Sequence, residues 1–257
     1  MSDVARFNPT GRFSGLADVY AKHRPNYPEA AVEHIIWQCS LVGDAMLIDV
    51  GCGTGISTRQ FASHGLQVIG VEPNDAMRAR AEAEPGPSTI RYVKGTAEAT
   101  GLPDGCATTV LAAQAFHWFD APKALQEFHR ILRPGGWVAL MWNERDERDA
   151  CTTAYGAVMR TGPSAAAVEG PRRGAGEALL HSPLFTEAHK VVFHHEQPLD
   201  EEGLLGRAFS ASYAPREPQA AEVFAARLRE VFAHYQENGR IVLRYETSVY
   251  CGKRQGA

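Results

Sequence analysis

Short apolar runs alternating with segments of helical period dominate the chain between residues 46 and 142. Residues 46–50, Met-Leu-Ile-Asp-Val, form one such run; Gly51 stops it, which predicts a strand buried on both faces and then a tight turn. A second run over residues 65–71 ends at Glu72, and further strands are expected at 90–93, 107–112 and 136–142. Helices are expected between them, over 57–64, from Asp75 onward, and over 122–132. Upstream, Tyr27-Pro28-Glu29 opens an amphipathic helix with Ala31, Ile35 and Ile36 on one face. This alternation predicts an α/β fold, a doubly wound and mostly parallel sheet with helices on both faces.

The rhythm breaks after residue 150. Residues 151–160 read as helix, whereas 161–177 are crowded with Gly, Ala, Pro and the adjacent Arg172 and Arg173, so residues 150–185 read as an inserted cap. Two later strands, 191–196 and 241–251, flank a helix over 218–236 in which Phe224, Leu228, Val231 and Tyr235 share a face. They complete a seven-stranded sheet with one antiparallel edge strand. There is no internal repeat, so residues 1–257 read as one domain, with residues 1–30 as a polar N-terminal lid segment.

Composition narrows the partners. A net charge of -4 offers no attraction for nucleic acid or anionic lipid. No run of about 18 apolar residues exists to span a bilayer, and the first residues lack the apolar stretch of a signal peptide. The five cysteines, Cys39, Cys52, Cys106, Cys151 and Cys251, are scattered without a C-x-x-C spacing, which indicates neither a disulfide framework nor a zinc site. His194 and His195 are neighbours on a predicted strand and point to opposite faces, so they do not ligate one metal, and no metal is expected. The expectation is a cytoplasmic protein, monomer or homodimer, with a small-molecule substrate and no nucleic-acid or membrane partner.

The chemistry concentrates where the first strand meets the first helix. Asp49-Val-Gly51-Cys-Gly53-Thr-Gly55 occupies the position at which open α/β sheets bind ligands. Its spacing is G-x-G-x-G; a dinucleotide fingerprint wants its third glycine where Ile56 stands, and a P-loop wants a lysine before the Ser/Thr pair. Pyrophosphate and triphosphate ligands are thereby disfavoured. Glu72, at the end of the second strand, is placed to accept hydrogen bonds from both hydroxyls of a ribose and to reject a 2'-phosphate; its alternative role is to balance a helix dipole.

These residues resemble the S-adenosylmethionine-dependent methyltransferases of the Rossmann-like class. Leu47-Ile-Asp-Val-Gly-Cys-Gly-Thr-Gly55 looks like their first motif and Val68-Ile-Gly-Val-Glu-Pro73 like their second-strand motif. Gly95-Thr-Ala-Glu98, Leu102-Pro-Asp104 and Leu132-Arg-Pro-Gly-Gly136 follow in the expected order. Tyr20-Ala-Lys-His-Arg-Pro-Asn-Tyr-Pro28, Ala113-Gln-Ala-Phe-His-Trp-Phe119 and residues 205–215 resemble the branch that contains the trans-aconitate methyltransferases. The stretch from Cys151 to Ser182 matches nothing in that branch.

The resemblance implies S-adenosylmethionine as cofactor. It implies adenine contacts at Ala97 and Glu98, a pocket floor at Ala113 and Gln114, walls at Pro73 and Asn74, a carboxylate partner in Arg24 and a lid over the sulfonium in Tyr20. Phe116, His117, Trp118 and Phe119 follow the fourth strand, where about two of four side chains can face a ligand and offer aromatic faces to a cation. Phe116 is the cofactor candidate among them and Trp118 the substrate candidate. His117 is the candidate general base, against a structural role for a histidine among aromatics. Arg172, Ser212 and Tyr213 are the further substrate candidates. The expected reaction is methyl transfer to a small-molecule acceptor such as a carboxylate. Two alternatives stand beside it: a lyase or cyclase that attacks the aminocarboxypropyl carbon and releases methylthioadenosine, and a non-catalytic cofactor-binding regulator.

Overall fold

The computed structural model describes residues 26–162, 164–172 and 174–256. The expected β-α-β-α alternation is present: α1 (Glu29–Gln38), β1 (Met46–Val50), α2 (Ile56–Ala62), β2 (Gln67–Val71), α3 (Asp75–Ala83), β3 (Ile90–Val93), β4 (Ala107–Ala113), α4 (Ala121–Ile131) and β5 (Leu132–Arg145). Then come α5 (Ala150–Met159), α6 (Ala165–Glu169), α7 (Glu177–Leu180), β6 (Phe185–Leu199), α8 (Glu201–Phe209), α9 (Pro218–Tyr235) and β7 (Ile241–Arg254). Single 3-10 turns follow β4 at Phe116–Trp118 and α6 at Gly170–Arg172.

The seven strands form one sheet in the order β3-β2-β1-β4-β5-β7-β6. β1 to β5 pair in parallel, and β7 runs antiparallel to both β5 and β6. The reversed strand is thus one position in from the edge, and β6 closes the sheet outside it. The switch in strand order falls between β1 and β4, where the crevice opens at the strands' carboxyl ends.

Period-2 alternation divides the core between the two faces. Ile48, Val110, Val138 and Leu140 point to the side covered by Leu125, Phe128 and Ile131 of α4. Leu47, Leu111, Ala139 and Met141 point to the other, covered by Ala31, Val32 and Ile35 of α1 and Phe61 of α2. A third cluster joins Tyr155 of α5, Leu204 of α8, and Phe224 and Leu228 of α9 to Leu243 and Tyr245 of β7. Helix starts follow side-chain caps: Asn74 accepts the amide of Met77, Asp149 that of Thr152 and Asp200 that of Gly203.

Three elements exceed the sequence expectation. β6 runs from Phe185 rather than from 191, and its half-buried alternating face explains why an apolar run marks only its middle. α8 lies where no helix was expected, begun by Asp200 with Glu201 and Glu202 in its first turn despite Gly203 and Gly206. Residues 150–185 are mostly helical, holding α5, α6, a 3-10 turn and α7. No helix among the described residues is long and apolar enough to cross a membrane.

Candidate functional site

The loop after β1 is shaped by left-handed glycines. Gly51, Gly53 and Gly55 have φ of 72°, 58° and 78°, a region other residues enter only under strain. At Gly51 a Cβ would lie 2.7 Å from Ala115 Cβ and 2.9 Å from Phe119 Cζ, so the backbone there touches the turn after β4 directly. Gly55 N-caps α2 and packs under the Tyr92 hydroxyl.

Glu72 fastens this loop. Its Oε2 accepts the Gly53 amide at 2.9 Å and its Oε1 the Asn74 amide at 2.8 Å, leaving each oxygen a further lone pair toward the crevice. Burial raises its pKa, opposed by those two amides. Asp49 sits deeper and is fully buried; one oxygen accepts Ser57 Oγ at 2.7 Å and Thr58 Oγ1 at 2.6 Å, tying β1 to the first turn of α2. Desolvation raises its pKa to about 6.

A cavity of about 240 Å³ opens over this loop. Of the residues proposed from sequence, Gly51, Gly53, Glu72, Pro73, Ala97, Glu98, Ala113, Gln114 and Trp118 line it. Four do not. Asp49 and Gly55 lie behind the loop and act by shaping it. Phe116 turns into the core, 2% exposed, against Phe119 and Phe128, and Phe119 takes the wall position instead. His117 is buried below the wall, with its Nδ1 accepting the Trp142 indole N–H at 3.3 Å. Burial, helped by the Arg172 charge, holds its pKa well below the ordinary range, so it is neutral, and it does not line the cavity. Tyr20 and Arg24 fall outside the described residues.

Gln114 ends β4 in a left-handed conformation, φ 58°, uncommon for a residue with a side chain. Its backbone N–H donates to Met141 at 2.8 Å and its side-chain Nε2 to the Asn143 carbonyl at 3.0 Å. Its Oε1 accepts from Arg172.

A second, more polar cavity lies beside the first, lined by Arg145, Glu169, Arg172, Tyr213 and Tyr245 among others. Asn143 and Arg207 line both cavities. Glu169 is engaged by Arg145 at 2.7 Å and by the Tyr213 hydroxyl at 2.7 Å, while Glu147 and Glu246 pair with Arg160 and Arg148. Arg207, buried beside the Tyr245 ring, has no carboxylate partner among the described residues, and its Nε has no hydrogen-bond partner. Of the substrate candidates, Arg172 and Tyr213 reach this second cavity, Trp118 faces the first, and Ser212 lines neither. Sequence reading missed Met77, Asn143 and Arg207; Met77 lies in the first turn of α3 and Asn143 near the carboxyl end of β5, whereas nothing local marked Arg207.

The fold and glycine loop are those of a Rossmann-like methyltransferase, and residues 48–140 match the methyltransferase domain family. An uncharacterised methyltransferase of Mycobacterium tuberculosis is 37% identical over 140 residues, covering 53% of this chain and 54% of that protein. The match thus spans about half that relative's length. An uncharacterised methyltransferase-like protein of Schizosaccharomyces pombe is 26% identical over 251 residues, covering 93% of each chain. Among solved structures, one assigned as a type II methyltransferase from Anaeromyxobacter dehalogenans superimposes with a TM-score of 0.68 at 24% identity, covering 91% of this chain and 99% of that one. Residues 48–140 thus carry a methyltransferase domain, set in a fold that the chain shares with the Anaeromyxobacter structure.

Proposed function

We propose that this protein transfers a methyl group from S-adenosylmethionine to a small anionic acceptor. The observation that carries the reading is the meeting of two cavities at Arg207 and Asn143, one shaped for a nucleoside and one presenting a buried cation. The first suits the cofactor: a left-handed glycine loop lets backbone approach closely, and the Glu72 carboxylate keeps two acceptor positions for ribose hydroxyls. Ala97 and Glu98 supply the adenine side of the cavity, and the aromatic faces of Trp118 and Phe119 suit a cationic sulfonium.

When bound, S-adenosylmethionine supplies an electrophilic methyl group. The chain's own residues then have a positioning task. Arg207 would hold a carboxylate beside the cofactor cavity by charge-assisted hydrogen bonds, with Arg172 lining the same second cavity. An anionic acceptor is already nucleophilic, so no general base is required, in keeping with a neutral His117 that does not line the cavity. Holding the acceptor in line supplies several kcal/mol of the barrier reduction.

Incubation with methyl-labelled cofactor and a panel of small carboxylates tests the reading by mass analysis. The expected products are S-adenosylhomocysteine and a labelled methyl ester. Release of methylthioadenosine would establish the lyase or cyclase alternative, and cofactor binding without turnover across the panel would favour the regulator.

A further inference from the structure

On the sheet face covered by α1, three side chains from three separate elements converge: His34 of α1, His189 of β6 and Cys251 of β7. One ligand atom from each lies within 4.8 Å of the other two. None of the three lines either cavity, so the methyltransferase reading does not use them. We propose that His34, His189 and Cys251 bind a zinc-class divalent cation, with water at the fourth position, and that this cation fastens α1 to the antiparallel end of the sheet.

Local structure prepares each residue for that role. His189 pairs directly opposite Cys251 in the β6–β7 ladder, just after a register shift between Thr186 and His189. At that irregularity Glu187 adopts a φ of 53°, a left-handed conformation near the start of the strand. Bulges of this kind re-aim side chains, and non-glycine residues in this region persist where the surroundings demand them. The Glu187 carbonyl then lies 2.8 Å from His189 Nδ1. A carbonyl can only accept, so Nδ1 carries the proton and Nε2 carries the lone pair, the usual device for orienting a ligating histidine.

His34 brings the second nitrogen. Its Nε2 is buried and has no hydrogen-bond partner among the described residues. Its ring meets the His189 ring edge-on at 6.4 Å between centroids. Cys251 is fully buried, in the same apolar cluster as Cys39. Binding a cation would release the Cys251 thiol proton to solvent.

Two half-exposed imidazoles and one thiolate suit a borderline-soft divalent ion. Ordinary Zn–N and Zn–S bond lengths place ligand atoms about 3.5 Å apart, within reach of a side-chain rotation from the observed spacing. The other such grouping among the described residues, Asp146, His194 and Glu246, has both carboxylates already engaged by Arg148.

Cobalt(II) titration of the reduced, metal-stripped full-length protein tests the site without reference to activity. The expected result is a 1:1 complex with a thiolate-to-cobalt charge-transfer band in the near ultraviolet, displaced by zinc, and a higher melting temperature with zinc. Cys251→Ser should abolish the band, and Cys39→Ser should retain it. Since Cys251 is buried, His189→Gln at a half-exposed position gives a second reading: a native circular dichroism spectrum with cobalt affinity reduced at least about tenfold. Absence of the band in the folded protein would overturn the proposal. So would a band that survives Cys251→Ser, one lost in Cys39→Ser alone, or undiminished affinity in His189→Gln.

Discussion

Glu72 accepts the amide of Gly53 at 2.9 Å, so the carboxylate read as the ribose partner is also the clasp that holds the glycine loop against the end of β2. Replacing it should therefore damage the cofactor site twice. Glu72→Ala is expected to weaken S-adenosylhomocysteine binding about 10- to 100-fold, the equivalent of roughly 1.5–3 kcal/mol for hydrogen bonds to a charged group. Titration calorimetry measures this; unchanged affinity would remove Glu72 from the site.

The contact between Gly51 and the turn after β4 leaves no room for a methyl group. Gly51→Ala brings a Cβ to 2.7 Å from Ala115 Cβ at a φ of 72°, so both strain and clash apply. A loss of about 1–3 kcal/mol of stability is expected, together with impaired cofactor binding. Gly43→Ala is the control: it has a φ of 59° but open space around it, so only the strain term applies and cofactor binding should be unaffected.

His117 makes a prediction by its neutrality. Because its folded pKa is depressed, the stability it contributes is present above 6.5 and is lost as pH falls below that value, where the unfolded chain takes up the proton first. His117→Asn should flatten that acid-side loss in pH-dependent chemical denaturation. Methyl transfer should keep its pH profile in that variant, and loss of an acid-side limb would restore His117 as a base.

Asp49 works in the opposite sense. Its folded pKa of about 6 lies above the ordinary 3.8, so the native state binds the proton more tightly. Its contribution is fully present below 3.8 and is lost as pH rises to about 6. The two groups thus partly mask each other in the parent protein. In Asp49→Asn the fall in stability across that window should disappear, exposing the His117 slope alone.

Arg207→Lys discriminates an acceptor contact from a cofactor contact. It keeps the charge but loses the planar fork that suits a carboxylate. An increase in acceptor KM of about tenfold with unchanged cofactor affinity is expected; equal loss of both would place Arg207 in the cofactor site.

The sheet was legible because β1, β2 and β4 are short runs buried on both faces, which few other contexts permit. The glycine loop was legible for a related reason, since left-handed turns restrict residue type sharply. β6 was only half legible: alternation of half-buried with exposed positions, combined with His189, His194 and His195, disguises an edge strand as polar chain. Among the aromatics after β4, the 3-10 turn at Phe116–Trp118 sets which rings face outward. An extended segment would have alternated them, and that is why Phe116 and Phe119 exchanged roles. Arg207 and the His34–His189–Cys251 cluster depend on partners far apart in sequence, and spacing rules have no access to such pairs.

One side chain, that of Gln114, is shared property. It lines the first cavity, and its amide holds two residues that line the second, with one end on the Asn143 carbonyl and the other on Arg172. An occupant of either cavity that shifts this amide changes the affinity of the other, and thermodynamic linkage requires that influence to be equal in both directions. Acceptor and cofactor would then report on each other's presence before any bond is made or broken.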